Sequence, residues 1–236
     1  VAFGQADPVG RSDGDDGGPE PTALDRLAQV IDDGAGGVAT EVWLTADGVP
    51  VLSRQGRIGR RFRRRNLGEL PAADLPPSVT RLDDLYGRLG TGHPISLDVR
   101  DPAALDPVVA AARQAGGERA ERELWLCHPQ VATLTTWRSR TEARLVNTAD
   151  YRGLDGGLER RAAELEQRGL DGLRLDHKDW TGGRVTLLHR FGLLALGVGT
   201  VHEREAATLI DTGIDGAYSE RVASLAAVMS QFYGSA

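Results

Sequence analysis

Short β-like runs alternate with helical runs eight times along the chain, and this repeat constrains the fold more than any other feature. VAFGQ opens as a strand. A glycine- and aspartate-rich loop follows, from about Asp7 to Glu20, and a helix starts near Pro21-Thr22. In that helix Leu24, Leu27, Ala28 and Ile31 recur at the spacing of one α-helical face. GVATEVWLTADGVPVLSR reads as a second strand, a turn at Ala46-Asp47-Gly48 and a short returning strand. The arginine-rich stretch after it, about 54–66, reads as a loop. VTRLDDLYGRLG is helical, PISLDVRD is the third strand, and ALDPVVAAARQAG is its helix. ELWLCHP, ARLVNTAD, GLDGLRLD, LLALGVGT and IDGAYSE follow as strands, with helical runs beginning near Gln130, Leu158, Gly183, Glu203 and Val222.

Eight strand–helix units with short connections predict one domain over residues 1–236, an α/β fold closed as a single (β/α)8 TIM barrel. The competing architecture is an open doubly wound sheet. No glycine-rich dinucleotide fingerprint follows any strand, which counts against it. No run approaches the roughly 18–20 apolar residues of a membrane span. The first residues lack a basic stretch followed by an apolar one, so no signal peptide is expected. Cys127 is the only cysteine and can form no internal disulfide, so the expected compartment is the cytoplasm.

The net charge of -6 argues against nucleic acid as a bulk partner. That average conceals a segregation. Residues 54–65, RQGRIGRRFRRR, hold seven arginines and no acid, and removing them leaves the rest of the chain at -13. Lys178 is the sole lysine, a bias of the kind a GC-rich bacterial genome produces. Arg54, Arg57, Arg60, Arg61, Arg63, Arg64 and Arg65 have two readings. One is a solvated, self-repelling loop. The other is an anion site, because guanidinium forks match phosphate and carboxylate oxygens.

In a barrel of this kind function sits where strands end and loops begin. The residues so placed are Phe3 to Gln5, Glu41, Trp43, Arg54, Asp98, Arg100, Cys127, His128, Asn147, Asp176, His177, Thr200, His202, Ser219 and Glu220. Ala39, Glu41 and Trp43 alternate and share one face of their strand. If that face points inward, Glu41 lies beside Asp98 and Arg100. Two carboxylates with room for water could hold Mg²⁺ or Ca²⁺. The alternative is a salt-bridge set among Glu41, Asp98, Arg100 and Arg54. His128, His177 and His202 fall near strand ends and could reach a pocket, or serve as hydrogen-bonded structural residues. No nucleophile elbow, P-loop, CxxC or HExxH motif is present.

Four stretches carry a resemblance to a known family. TEVWLTADGVPVLSR, PEPT at residues 19–22, ISLDVR and GIDGAYSE resemble, in order and spacing, the signatures of the glycerophosphodiester phosphodiesterases. The resemblance implies a phosphodiesterase-like barrel, a role in lipid or glycerol metabolism, and hydrolysis by two histidines and a divalent metal. It also implies that most of that machinery is replaced. The first histidine and a phosphate-binding arginine fall at Phe3 and Gly4. The second histidine falls at Arg54 and the acid after it at Gln55. The metal-binding acids fall at Ala39, Glu41 and Asp98, the lysine at Arg100, and the strand-seven tryptophan at Gly199. Glu20 keeps the glutamate of the Pro-Glu-x-Thr motif. Phe3 cannot carry a proton, Arg54 stays protonated, and Ala39 removes a metal ligand.

The expectation is a phosphodiesterase-like protein that binds a phosphodiester, phosphate or other anionic small molecule without turnover. Its cofactor would be none, or weakly bound Mg²⁺ or Ca²⁺ at Glu41 and Asp98. Two alternatives stand beside it. One is an enzyme whose mechanism has moved to Glu41, Asp98 and either His128 or His177. The other is an interaction module whose arginine loop docks an acidic partner or a membrane surface. The sequence leaves the oligomeric state open.

Overall fold

The structure, a computed structural model, describes residues 1–5, 22–58, 64–76, 79–200 and 202–233. Its elements run β1 (Ala2–Gln5), α1 (Ala23–Asp32), β2 (Gly37–Leu44), β3 (Pro50–Leu52), β4 (Arg57–Ile58), β5 (Arg65–Asn66) and β6 (Thr80–Arg81). They continue through α2 (Leu82–Leu89), β7 (Ile95–Val99), α3 (Leu105–Arg122), β8 (Leu124–His128), α4 (Val131–Arg138) and β9 (Arg144–Thr148). The last are α5 (Gly157–Gln167), β10 (Gly172–Asp176), α6 (Gly182–Arg190), β11 (Leu194–Thr200), α7 (Glu203–Asp211), β12 (Gly216–Ser219) and α8 (Val222–Tyr233). Among the described residues no helix is long and apolar enough to cross a membrane.

β1 pairs in parallel with both β2 and β12, and this double pairing closes the barrel. The wall runs β1, β2, β7, β8, β9, β10, β11, β12 and back to β1, all parallel. The expected (β/α)8 architecture is therefore the one found. Alternation along each strand sorts side chains to two cores. Val38, Val42, Leu97, Leu126, Leu145, Leu173 and Leu175 point outward and pack beneath the helices. Phe3, Ala39, Trp125, Cys127, Val146, Leu196 and Tyr218 point inward and fill the barrel. Phe3 stacks on Tyr218 at 4.7 Å between centroids and meets the edge of Trp125 at 5.2 Å. Gly4, of opposite parity, faces α1 and α8. A Cβ there would come within 2.0 Å of Val30 Cγ1 and 2.6 Å of Val222 Cγ2, so the close approach of β1 to its helices admits no side chain.

The excursion after β2 opens on the expected returning strand, but the arginine-rich stretch beyond it differs from the loop read in the sequence. β3 turns back antiparallel to β2 and is followed in the sheet by β6. At the base of the arginine-rich stretch, β4 and β5 form a two-residue antiparallel ladder, Arg57 opposite Asn66 and Ile58 opposite Arg65. The Arg57 Nε–H donates to Asn66 Oδ1 at 3.1 Å, which adds a side-chain tie to the backbone pairing. Arg60, Arg61 and Arg63 lie outside the described residues, as does Glu20.

Helix α3 runs past its expected end near Gly116, through a kink at Gly116 and Gly117, where φ of Gly117 is +65°. The extra turn delivers Glu121, fully buried at 0% exposure, to a clamp at the helix end. Its carboxylate accepts from Arg113 Nε at 2.6 Å and Nη2 at 3.1 Å, from Thr141 Oγ1 at 2.7 Å and from the Glu142 N–H at 3.0 Å. Burial works to raise its pKa, but the bonds from Arg113, Thr141 and Glu142 overcome it and hold the group below the ordinary glutamate value. A carboxyl whose folded pKa lies below its unfolded one stabilises above the unfolded pKa and loses that contribution as pH falls through the folded one. Glu121→Gln should therefore cost about 1.5–3 kcal/mol near neutral pH. It should also flatten the acid limb of a melting-temperature profile taken from pH 7 to pH 3. An unchanged acid limb would show that this carboxyl does not drive acid unfolding.

Candidate functional site

At the C-terminal mouth of the barrel, Glu41 and Asp98 stand opposite each other in register on β2 and β7. Each is held by an arginine. Arg100 grips Glu41 with two nitrogens, Nε at 3.0 Å from Oε2 and Nη2 at 2.7 Å from Oε1. The bonds to Glu41 are the main reason the Arg100 pKa is raised. Asp98 is taken by Arg174, which rises from β10 and contacts it through Nη2. Arg54 instead reaches Glu220, beyond β12, at 2.7 Å. The salt-bridge set read from the sequence thus forms with different partners. Arg54 leaves it, and Arg174 completes it.

Arg174 had escaped the sequence reading. Its signal was parity: in Gly172-Leu173-Arg174-Leu175-Asp176 the two leucines face the helices, so the arginine between them faces the barrel axis. It is only 5% exposed. Its Cζ lies 4.9 Å from the centroid of the Tyr218 ring. Burial opposes its charge, but the Asp98 carboxylate beside it favours the charged form, and it stays protonated. Beneath it, Ser96 Oγ lies 3.0 Å from Tyr218 Oη and 3.5 Å from Cys127 Sγ. Burial pushes both the Tyr218 phenol and the Cys127 thiol upward, so neither ionises near neutral pH.

The strand-end histidines are tied down separately. His128 is buried at the end of β8. Its Nδ1 accepts the Gln130 N–H at 3.0 Å, its ring meets Trp137 edge-on at 5.4 Å, and burial lowers its pKa. Asn147 braces this corner, donating to the His128 and Pro129 carbonyls at 3.2 and 2.9 Å and accepting from Arg161 at 2.8 Å. His177 follows β10, with Nδ1 at 3.3 Å from both the Val198 carbonyl and Asp176 Oδ1, and Nε2 at 4.0 Å from Glu205. His202 caps α7.

A cleft of about 620 Å³ opens beside the axis, between the end of β2, the β4–β5 ladder and the turn after β7. Arg57, Arg64 and Arg100 line it together with Trp43, Asn66 and Asp101. The indole N–H of Trp43 donates to the Ser53 carbonyl at 2.7 Å, which fixes the ring as part of the wall. The structure thus gathers four sequence candidates, Trp43, Arg57, Arg64 and Arg100, in one cleft. Arg65 is exposed in the β4–β5 ladder, and Arg54, His128 and His177 do not line the cleft.

The described residues present no ready-made site for a divalent ion. Among the described residues no three His, Cys, Asp or Glu side chains stand close enough to share one. Glu41 and Asp98 are each engaged by a guanidinium, and Ala39 packs inside the barrel.

No protein-family model matches the chain, and no curated protein matches it significantly. Solved structures do share its fold. An Oleispira antarctica phosphodiesterase in complex with the product sn-glycerol-3-phosphate superposes with a TM-score of 0.78 at 16% identity, covering 97% of this chain and 96% of that one. A glycerophosphodiester phosphodiesterase from Thermotoga maritima gives 0.73 at 18% identity, covering 94% and 95%. One from Agrobacterium tumefaciens gives 0.72 at 14%, covering 96% and 98%. At such identities the likeness is one of fold.

Proposed function

We propose that this protein binds a phosphate-bearing small molecule at the mouth of the barrel and does not hydrolyse it by a metal-and-histidine route. The observation that carries the first half is the rim cleft, where Arg57, Arg64 and Arg100 converge around Trp43. Guanidinium forks bind phosphate oxygens bidentately, and an aromatic wall receives the less polar part of a ligand. A structure of the same fold holding sn-glycerol-3-phosphate supports that ligand class. The second half rests on the positions where the resemblance puts histidines. Phe3 is packed at 0% exposure inside the barrel, and Arg54 is paired with Glu220.

Thermal stabilisation without turnover is the expected signature. A ligand at about 100 times its Kd adds about 2.7 kcal/mol, which for a chain of this size is a rise of about 5–10 °C. Glycerophosphocholine, sn-glycerol-3-phosphate and polyphosphate should be tried at low salt. The rise should fade toward 0.5 M salt, where the Debye length falls to about 4 Å. Arg57→Ser with Arg64→Ser should abolish it without lowering the unliganded melting temperature. If that variant melts several degrees lower on its own, these arginines are structural and the cleft is not the binding site.

A further inference from the structure

The rim cleft holds charges of both signs that do not neutralise one another. Arg64 and Asp101 line the same space, yet among the described residues no ion pair joins them and Arg64 has no partner. Asp101 Oδ1 accepts the Ala103 N–H at 2.9 Å, and its Oδ2 has no partner among the described residues. Arg57 commits Nε to Asn66 and keeps both Nη groups, whereas Arg100 is committed to Glu41. Trp43, Leu44 and Pro102 add an apolar wall. The Trp43 ring is held in place. A Cβ on Gly56 would stand 2.5, 2.6 and 2.6 Å from three consecutive atoms of the benzo ring, Cζ2, Cε2 and Cη2. Such equal distances put the Gly56 backbone on the face of the ring, not at its edge. Gly56 also has a φ of +60°, which suits glycine. With the indole N–H on the Ser53 carbonyl, the ring is fixed at a second point.

A bare phosphate would fill a small part of about 620 Å³ and would leave Asp101 to repel it. The lining asks for a larger molecule, with an anion for the free guanidinium groups, a hydrogen-bond donor for Asp101 and a flat apolar body for Trp43. We infer that the cleft is shaped for a nucleoside monophosphate. Its phosphate lies on Arg57 and Arg64, its base against Trp43, and a ribose hydroxyl donates to Asp101 Oδ2. This inference rests on the phosphate-binding reading above and narrows it. Asp101 is the residue that sets specificity, because its charge discourages a second anion and rewards a hydroxyl.

Isothermal titration with AMP, 2′-deoxy-AMP and sn-glycerol-3-phosphate tests this. AMP should bind about tenfold tighter than sn-glycerol-3-phosphate, and 2′-deoxy-AMP about tenfold weaker than AMP. Trp43→Leu should erase the first preference, Trp43→Phe should keep most of it, and Asp101→Ala should erase the second. Arg57→Ser with Arg64→Ser should abolish binding of all three. A second readout comes from fluorescence. Trp125, Trp137 and Trp180 are buried and Trp43 is partly exposed, so acrylamide quenching reports on the cleft. AMP should protect Trp43 from acrylamide more than sn-glycerol-3-phosphate does. If the Trp43 or Asp101 variants do not fold, the wild-type affinity ratios and this protection decide. Equal affinities for AMP and sn-glycerol-3-phosphate, both lost with Arg57 and Arg64, overturn the nucleotide seat and leave the phosphate cleft standing. So does a preference for AMP that survives Trp43→Leu. Equal binding of AMP and 2′-deoxy-AMP overturns the role of Asp101. Absence of saturable binding to all three overturns the seat and the phosphate reading together.

Discussion

Arg174→Met is expected to destabilise the protein by about 3–5 kcal/mol, a fall of about 6–20 °C in melting temperature for a chain of this length. The reason is the charge left behind. Asp98 lies at the end of an inward-facing strand, with Tyr218, Ser96 and Cys127 beneath the guanidinium that neutralises it. Methionine matches the arginine stem in shape and removes the charge, so an unpaired carboxylate must face the barrel throat. The partial exposure of Asp98 lets water reach it, which puts the expected cost toward the lower end of that range. Arg174→Met combined with Asp98→Leu should recover most of the loss, because replacing both partners of a buried pair by apolar residues is often neutral. Urea denaturation of the wild type, both single variants and the double variant measures the coupling directly. A cost below about 1 kcal/mol for Arg174→Met would mean that the pair behaves as a solvated surface bridge.

This pair marks the boundary between what the sequence disclosed and what it did not. Local pattern placed Glu41 and Asp98 at strand ends, and the register confirms that they adjoin. The eightfold alternation disclosed the barrel because each unit carries its own period and turn. The partner of Asp98 is 76 residues away. Nothing local in GLRLD says which strand its arginine will cross to, since that depends on barrel closure and stagger. Parity alone could have flagged Arg174 as an inward charge in need of a partner. The Glu121 clamp was hidden for a different reason. Gly116-Gly117 reads as a helix stop, and the kink that carries the chain past it is fixed by tertiary bonds to Arg113 and Thr141. The arginine-rich stretch hid a ladder because two-residue strands fall below any periodicity that can be counted.

Hydrolysis of glycerophosphocholine or bis(p-nitrophenyl) phosphate is expected to stay at background, with or without Mg²⁺ or Ca²⁺, where an ordinary enzyme turns over at about 1–10³ s⁻¹. General acid and general base each contribute about 10²–10⁴ in rate, so on the proposed reading, in which both are lost, the deficit is about 10⁴–10⁸. The position of Phe3 makes the loss hard to reverse. Its ring is stacked on Tyr218 and set against Trp125 in the barrel interior. Phe3→His alone should therefore bury an imidazole in an aromatic site, lower stability and restore no turnover. Arg54→His would give up the bridge to Glu220 and still find Asp98 and Glu41 held by arginines rather than by a metal ion. On the proposed reading, restoring the family chemistry would require changes at Phe3, Gly4, Ala39 and Arg54 together, and Asp98 would also have to be released from Arg174. Metal-dependent turnover in the unmodified protein, abolished by chelator, would sink this reading. His128→Ala and His177→Ala would then show which strand-end histidine moves the proton. Burial lowers the His128 pKa and so favours its neutral form. Its Nδ1 accepts the Gln130 N–H, so the neutral ring carries its hydrogen on Nε2 and could take up a proton only by giving up that bond.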